Sequence, residues 1–189
     1  DQNARQSKPQ PYFYLCSIKA SHLKALTGVY RRSTSGGTAR AKDQNVQRGH
    51  EESRSATIRD FVQYGYPWCE MRESQRKLPQ SRSLRKPGWL PTAIIVNILP
   101  PGSKRNGVEI PDGDLVKIED HVAGALIRLP KGFAGAKWEP AKVFPLEVID
   151  GQHRLWAFED FDPGNDFELP VVAFYDLDRS WQAYLFWSV

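Results

Sequence analysis

Asp150, Gly151, Gln152, His153 and Arg154 are five consecutive residues, each suited to handling an anion, a metal or a proton. Asp150 is a carboxylate that could hold a magnesium ion bridging phosphates. Gly151 has no Cβ, so it permits an unusual backbone angle and the close approach of a ligand. Gln152 can orient a water or hydrogen-bond a base or sugar. His153 has the one side chain whose ordinary pKa lies near neutrality, so it can donate, accept or bind metal. Arg154 carries a fixed charge on a planar fork that matches phosphate. Read together they make a phosphate-binding turn. The plainer alternative is a strand–helix junction, where Asp and Gly are ordinary capping residues and a His–Arg pair is solvated surface.

The flanking residues must hold those five in place. "PLEVID" reads as a strand and "HRLWAFEDF" as a helix. A strand ending at Asp150 puts its carboxylate at the carboxyl edge of a sheet, where α/β folds bind ligands. The helix that follows presents unpaired N–H groups and a positive dipole end. "LPVVAFYDL" and "SWQAYLFWSV" then read as another strand and helix, so the two element types alternate after Phe144. Upstream, "PYFYLCSI" is a first strand and "SHLKAL" a short helix, capped by Ser21 and ended by Gly28. In "ESRSATIRDFVQYG", Ile58, Phe61 and Val62 share one helical face. "LPTAIIVNIL" is β-branched and almost continuously apolar, which predicts a central strand. "LVKIED" and "GALIRL" predict a short antiparallel pair. Trp156 and Phe158 are expected as one core and one edge contact, and Trp181, Tyr184, Leu185 and Phe186 as a core-facing helical stripe.

The chain has 189 residues, 40% of them apolar, which suits a single core. The expected organisation is a polar tail over residues 1–10 and one domain over 11–189. A net charge of +4, from 26 Lys and Arg against 22 Asp and Glu, permits an anionic partner without requiring one. Two segments concentrate that charge and predict mobile loops, residues 31–48 and 72–88. The second carries Arg72, Arg76, Lys77, Arg82, Arg85 and Lys86 beside Tyr64, Tyr66 and Trp68. Cations among aromatic rings could contact a nucleic-acid backbone and stack on bases, although charge-rich loops are commonly just solvated. Cys16 and Cys69 predict reduced thiols, since no spacing suggests a disulfide framework or a zinc site. His22, His50 and His121 are too scattered to predict a metal site. No apolar run is long enough to span a bilayer, and "DQNARQSKPQ" has no apolar signal core. The expectation is a soluble, cytoplasmic protein with no membrane partner.

"VIDGQHRLWAF" resembles the signature of the DGQHR-domain family, which includes DndB- and DpdB-type proteins of DNA phosphorothioation and deazaguanine DNA modification. The wider group is similar to the ParB/sulfiredoxin-like superfamily. "VQRGHEESRSATIRDFVQYG" resembles the family's upstream QR-plus-helix segment. "LPTAIIVNIL" resembles its central strand with a polar Asn, here Asn97, and "LPVVAFYDLDRSWQAYLFWSV" the strand and helix after the motif. The likeness runs over about residues 46–189. Its departures are a long basic segment and a chain that stops inside the last helix, as the N-terminal part of a longer protein would.

The resemblance implies an α/β (α+β) domain, a mixed sheet flanked by helices, that binds ATP or another nucleoside triphosphate with magnesium. It implies hydrolysis coupled to DNA modification or restriction, with DNA and other modification proteins as partners. By the same resemblance Asp150 takes the metal or activates water, and Gly151 and Gln152 cradle phosphate. His153 acts as acid/base, Arg154 neutralises phosphate charge, and Gln47, Arg48 and Asn97 complete the pocket. A DNA-binding regulator without turnover and a metal-dependent nicking enzyme are the rival readings.

Overall fold

In the computed structural model the described residues are 13–28, 52–159 and 167–188. In chain order they form β1 (Tyr14–Lys19), α1 (Ala20–Thr27), α2 (Glu52–Tyr64) and α3 (Glu73–Arg76). Next come β2 (Ile94–Ile98), β3 (Lys104–Arg105), β4 (Val108–Glu109), β5 (Lys117–His121) and β6 (Gly124–Arg128). The chain ends with β7 (Leu146–Asp150), α4 (Gln152–Ala157), β8 (Glu168–Tyr175) and α5 (Arg179–Ser188). Short 3-10 turns cover Trp68–Glu70 and Pro79–Leu84.

Four strands build one mixed sheet in the order β1-β8-β2-β7, and β3-β4 and β5-β6 form two separate hairpins. β8 runs parallel to β2, whereas β1 and β7 are antiparallel to their neighbours. The expected mixed sheet with flanking helices is therefore present, and "LPTAIIVNIL" supplies an inner strand. Along β1, half-buried Tyr14, Cys16 and Ile18 alternate with exposed residues. On β8 the alternation buries Leu169, Val171 and Ala173. β2 is buried at Ile94, Val96 and Ile98, and β7 at Leu146 and Val148. Onto these pack Leu23 and Leu26 of α1, Val62 of α2 and Leu155 and Trp156 of α4. Each fully buried Leu or Ile contributes about 1.5–3 kcal/mol.

Three local expectations about the helices need correcting. Lys19, not Ser21, occupies the cap position of α1, whose first N–H is taken by the Phe167 carbonyl at 2.8 Å. Gly28 ends that helix in the left-handed conformation, as the sequence suggests. Phe158 is buried alongside Trp156, because α4 is only six residues long and its last turn folds back so that Phe158 stacks on Phe167. None of the aromatic residues of α5 is fully buried. Trp181, Leu185 and Phe186 are half-buried, Asp178 accepts from the Trp181 N–H at the start of the helix, and Gln182 donates to Glu147 and to the Leu177 carbonyl.

The basic segment carries defined structure where the sequence suggests a loop. It forms α3 and the Pro79–Leu84 turn. Arg76 donates to the carbonyls of Trp68 and Cys69, and the Lys86 N–H to that of Tyr64. Gly65, at φ +65°, allows this approach, since a Cβ there would lie 1.6 Å from the Lys86 carbonyl oxygen. Residues 31–48 fall outside the described part of the chain.

Candidate functional site

The five motif residues sit where β7 hands over to α4. Ile95 of β2 pairs with Asp150 and Val96 with Val148, so Ile149 is an extra residue in the strand. Such a bulge re-aims the side chain beside it. Gly151 follows at φ +97°, a conformation that costs a residue with a side chain about 1–2 kcal/mol. Its missing Cβ also makes room, because one built there would lie 2.5 Å from Ile94 Cδ1 and 3.1 Å from Arg154 Nη2. The Gly151 carbonyl accepts from the N–H groups of Arg154 and Leu155, which starts the helix.

Arg154 reaches back across this turn. Its Nη2 donates to Asp150 Oδ2 at 2.7 Å, and its Nη1 to the carbonyls of Thr92 and Ala93 at 2.7 and 3.0 Å. The guanidinium side chain is only 15% exposed. Burial lowers its pKa, the Arg54 charge on α2 lowers it further, and the Asp150 carboxylate opposes both. Much of the fork is thus spent inside the protein. Arg154 ties the end of β7 to the entry of β2 and sets the angle of Asp150.

The Asp150 side chain is 32% exposed, and its Oδ2 is the atom held by Arg154. His153 is half-buried, edge-on to Trp156 at 5.0 Å between ring centres. Its backbone carbonyl accepts from the Oγ of fully buried Ser55, which docks α2 on α4. Gln152 is buried. Arg54 is exposed, close enough to act on Arg154 by charge. The site therefore unites Asp150, Gly151, His153 and Arg154 with three contributors that the motif does not contain: the Thr92–Ala93 carbonyls, Ser55 and the Ile149 bulge. A bulge leaves no signature in residue type, and carbonyls contribute irrespective of sequence. Ser55 sits on the apolar face of a predicted helix, which was the available hint.

The sheet also changes where the site lies. Because β7 is antiparallel to β2, the carboxyl end of β7 meets the amino end of β2, next to Thr92 and Ala93. The rule placing ligands at converging carboxyl ends belongs to parallel sheets and does not locate this one. At six residues, α4 has too little aligned backbone to act as an anion site by itself. Positive charge here comes from Arg154 and Arg54.

Asn97 lies at the opposite end of the short strand. Its side chain is fully buried, accepts from the Leu177 N–H at 2.9 Å, and donates to the Leu177 carbonyl and to Glu147. Glu147 also receives Arg105 and Gln182. Burial pushes the Glu147 carboxyl up, but the hydrogen bonds from Arg105, Gln182 and Asn97 and the Arg105 charge together hold it below its ordinary value. This network pins the turn after β8 to the sheet, and it takes up the amide that the resemblance assigns to a nucleotide.

Gln47, Arg48 and His50 lie outside the described residues. His22 packs edge-on against Phe133 and His121 is exposed at the end of β5, so neither joins the motif. Burial pushes the thiols of Cys16 and Cys69 up, with the Glu70 charge adding to the shift at Cys69. Among the described residues, no group of three or more His, Cys, Asp and Glu could hold a metal ion. Nor is any helix there long and apolar enough to cross a membrane.

Comparisons with protein-family models, curated proteins and solved structures found no match.

Proposed function

We propose that this chain is a nucleotide-binding domain of the DGQHR type, related to ParB/sulfiredoxin-like domains, that hydrolyses a nucleoside triphosphate in the service of DNA modification or restriction. The observation that carries the proposal is the constrained, solvent-reached carboxylate of Asp150. A bulge and a left-handed glycine flank Asp150, and a guanidinium holds one oxygen of its carboxylate. A plain strand–helix cap needs none of the three.

The donor set fits a magnesium ion that arrives with the phosphates, because a lone carboxylate is enough for an ion already held by substrate oxygens. Bound there, magnesium would neutralise phosphate charge. Asp150 would hold it through the oxygen that Arg154 leaves uncovered. Arg154 orients the carboxylate, and Arg54 adds positive charge nearby. His153, beside the turn, exchanges a proton with the attacking water or the leaving phosphate. Gln152 completes the wall of the turn.

The test is binding and turnover of triphosphates by the wild type, Asp150→Asn and His153→Ala, with folding checked in each. Loss of phosphate release in both variants is expected. Equal turnover in all three would overturn the reading. Binding without turnover would instead support a non-enzymatic regulator, and nicked plasmid a nuclease.

A further inference from the structure

The segment Met71–Pro87 holds six cations and one acid, a net +5, while the whole chain carries +4. The rest of the chain therefore nets −1, and within it residues 31–48, outside the described part, form a second basic stretch of net +4. Its cations divide by what they touch. Arg76 is committed to the Trp68 and Cys69 carbonyls, and Lys77 pairs with Glu73 at 2.7 Å. Arg85 lies over the rings of Tyr64 and Trp68, 4.5 and 4.9 Å from their centres. Arg72, Arg82 and Lys86 are exposed and have no carboxylate partner among the described residues.

The aromatic residues divide in the same way. Trp68 is buried and Tyr64 half-buried beneath Arg85, so neither ring offers an open face. Tyr66 is 67% exposed and Trp89 is 81% exposed. The chain brings these two into one neighbourhood. The Lys86 N–H bonds the Tyr64 carbonyl, and a Cβ on Gly65 would meet the Lys86 carbonyl and lie 3.6 Å from the Gly88 N, so Tyr66 and Trp89 each adjoin in sequence one packed contact between Gly65 and residues 86–88. Leaving a Trp side chain four-fifths in water costs apolar burial, and a base face would recover it.

We propose that Tyr66 and Trp89, with Arg72, Arg82 and Lys86, form a binding surface for a single-stranded polynucleotide. Stacking on an aromatic ring needs an unpaired base, which a duplex keeps in its own stack. The three cations would follow the phosphates without reading sequence. This surface does not depend on the Asp150 turn. The two sites touch opposite ends of α2, Ser55 and Tyr64 being nine residues apart, or about 14 Å along the helix.

The experiment is fluorescence anisotropy of the whole chain with labelled dT20, rU20 and a 20-base-pair duplex between 50 and 200 mM salt. Either single strand should bind more tightly than the duplex, and the tighter of the two names the polymer. The double variant Tyr66→Ala/Trp89→Ala should weaken single-strand binding at least tenfold. Arg82→Glu/Lys86→Glu should weaken it and reduce the log–log salt slope by about 0.7 for each phosphate no longer neutralised. All four side chains are exposed, so unchanged urea midpoints should show that the variants fold. Duplex binding as tight as single-strand binding, or aromatic variants that bind like the wild type, would overturn the proposal. Triphosphate turnover should be unchanged in both variants, so failure here is distinguishable from failure of the nucleotide site.

Discussion

Replacing Asn97 with Ala separates a structural role from a ligand role. In the wild type the Asn97 amide serves three groups, but they would not suffer equally from its loss. The Leu177 carbonyl keeps Gln182 as a donor, and Glu147 keeps both Arg105 and Gln182. The Leu177 N–H loses its acceptor, within a residue that is only 6% exposed. An orphaned buried N–H costs about 1–3 kcal/mol, and the small cavity adds on the order of 1 kcal/mol, for a total of about 2–4 kcal/mol. With a urea slope of about 2 kcal/mol per molar, the midpoint should fall by roughly 1–2 M, read from the fluorescence of the six tryptophans. Triphosphate affinity, measured by calorimetry well below that midpoint, should stay within about twofold of the wild type. A midpoint shift below about 0.3 M would refute the network role of Asn97. Affinity lost together with an unchanged midpoint would return Asn97 to the ligand.

Gly151→Ala meets both a left-handed backbone and the Ile94 methyl, so it should lose about 2–4 kcal/mol in urea unfolding; near-neutral stability would show that the turn relaxes easily. Arg154→Lys keeps the charge but cannot span Asp150 and two carbonyls, and should cost about 2–4 kcal/mol by the same assay. Glu147 has a folded pKa held below its ordinary 4.5, so its contribution is full above that value and is lost as the pH falls through the lowered one. Urea midpoints of wild type and Glu147→Gln should therefore converge as the pH drops from 7 towards 3; a gap that stays constant would mean that Glu147 does not titrate with folding.

Residue type carried the motif and the sheet, because both are written in local pattern. Apolar, β-branched runs mark the strands that bury Val171 and Val96, and Gly28 announces the end of a helix through a left-handed angle that it tolerates. What escaped the sequence was direction and partnership. Strand polarity decides which ends of β2 and β7 meet, and that depends on how distant segments pair, so Asp150 faces Thr92 and Ala93 where a parallel sheet would have offered another carboxyl end. Partnership escaped for a related reason: a polar side chain on a strand looks the same whether it awaits a ligand or is filled by backbone from 80 residues away, as Asn97 is by Leu177. The same ambiguity worked in the other direction at the basic segment. Six cations in a polar stretch look equivalent on paper, yet Arg76 is bonded to carbonyls, Lys77 to a carboxylate and Arg85 lies over two rings, while Arg72, Arg82 and Lys86 have no carboxylate partner among the described residues. Arg154 is the sharpest case. Its fork has the shape for phosphate, but the structure uses that shape on a carboxylate and two carbonyls. Under the proposed function the weight then shifts from Arg154 to Asp150 and His153, and the two single-residue variants there test it.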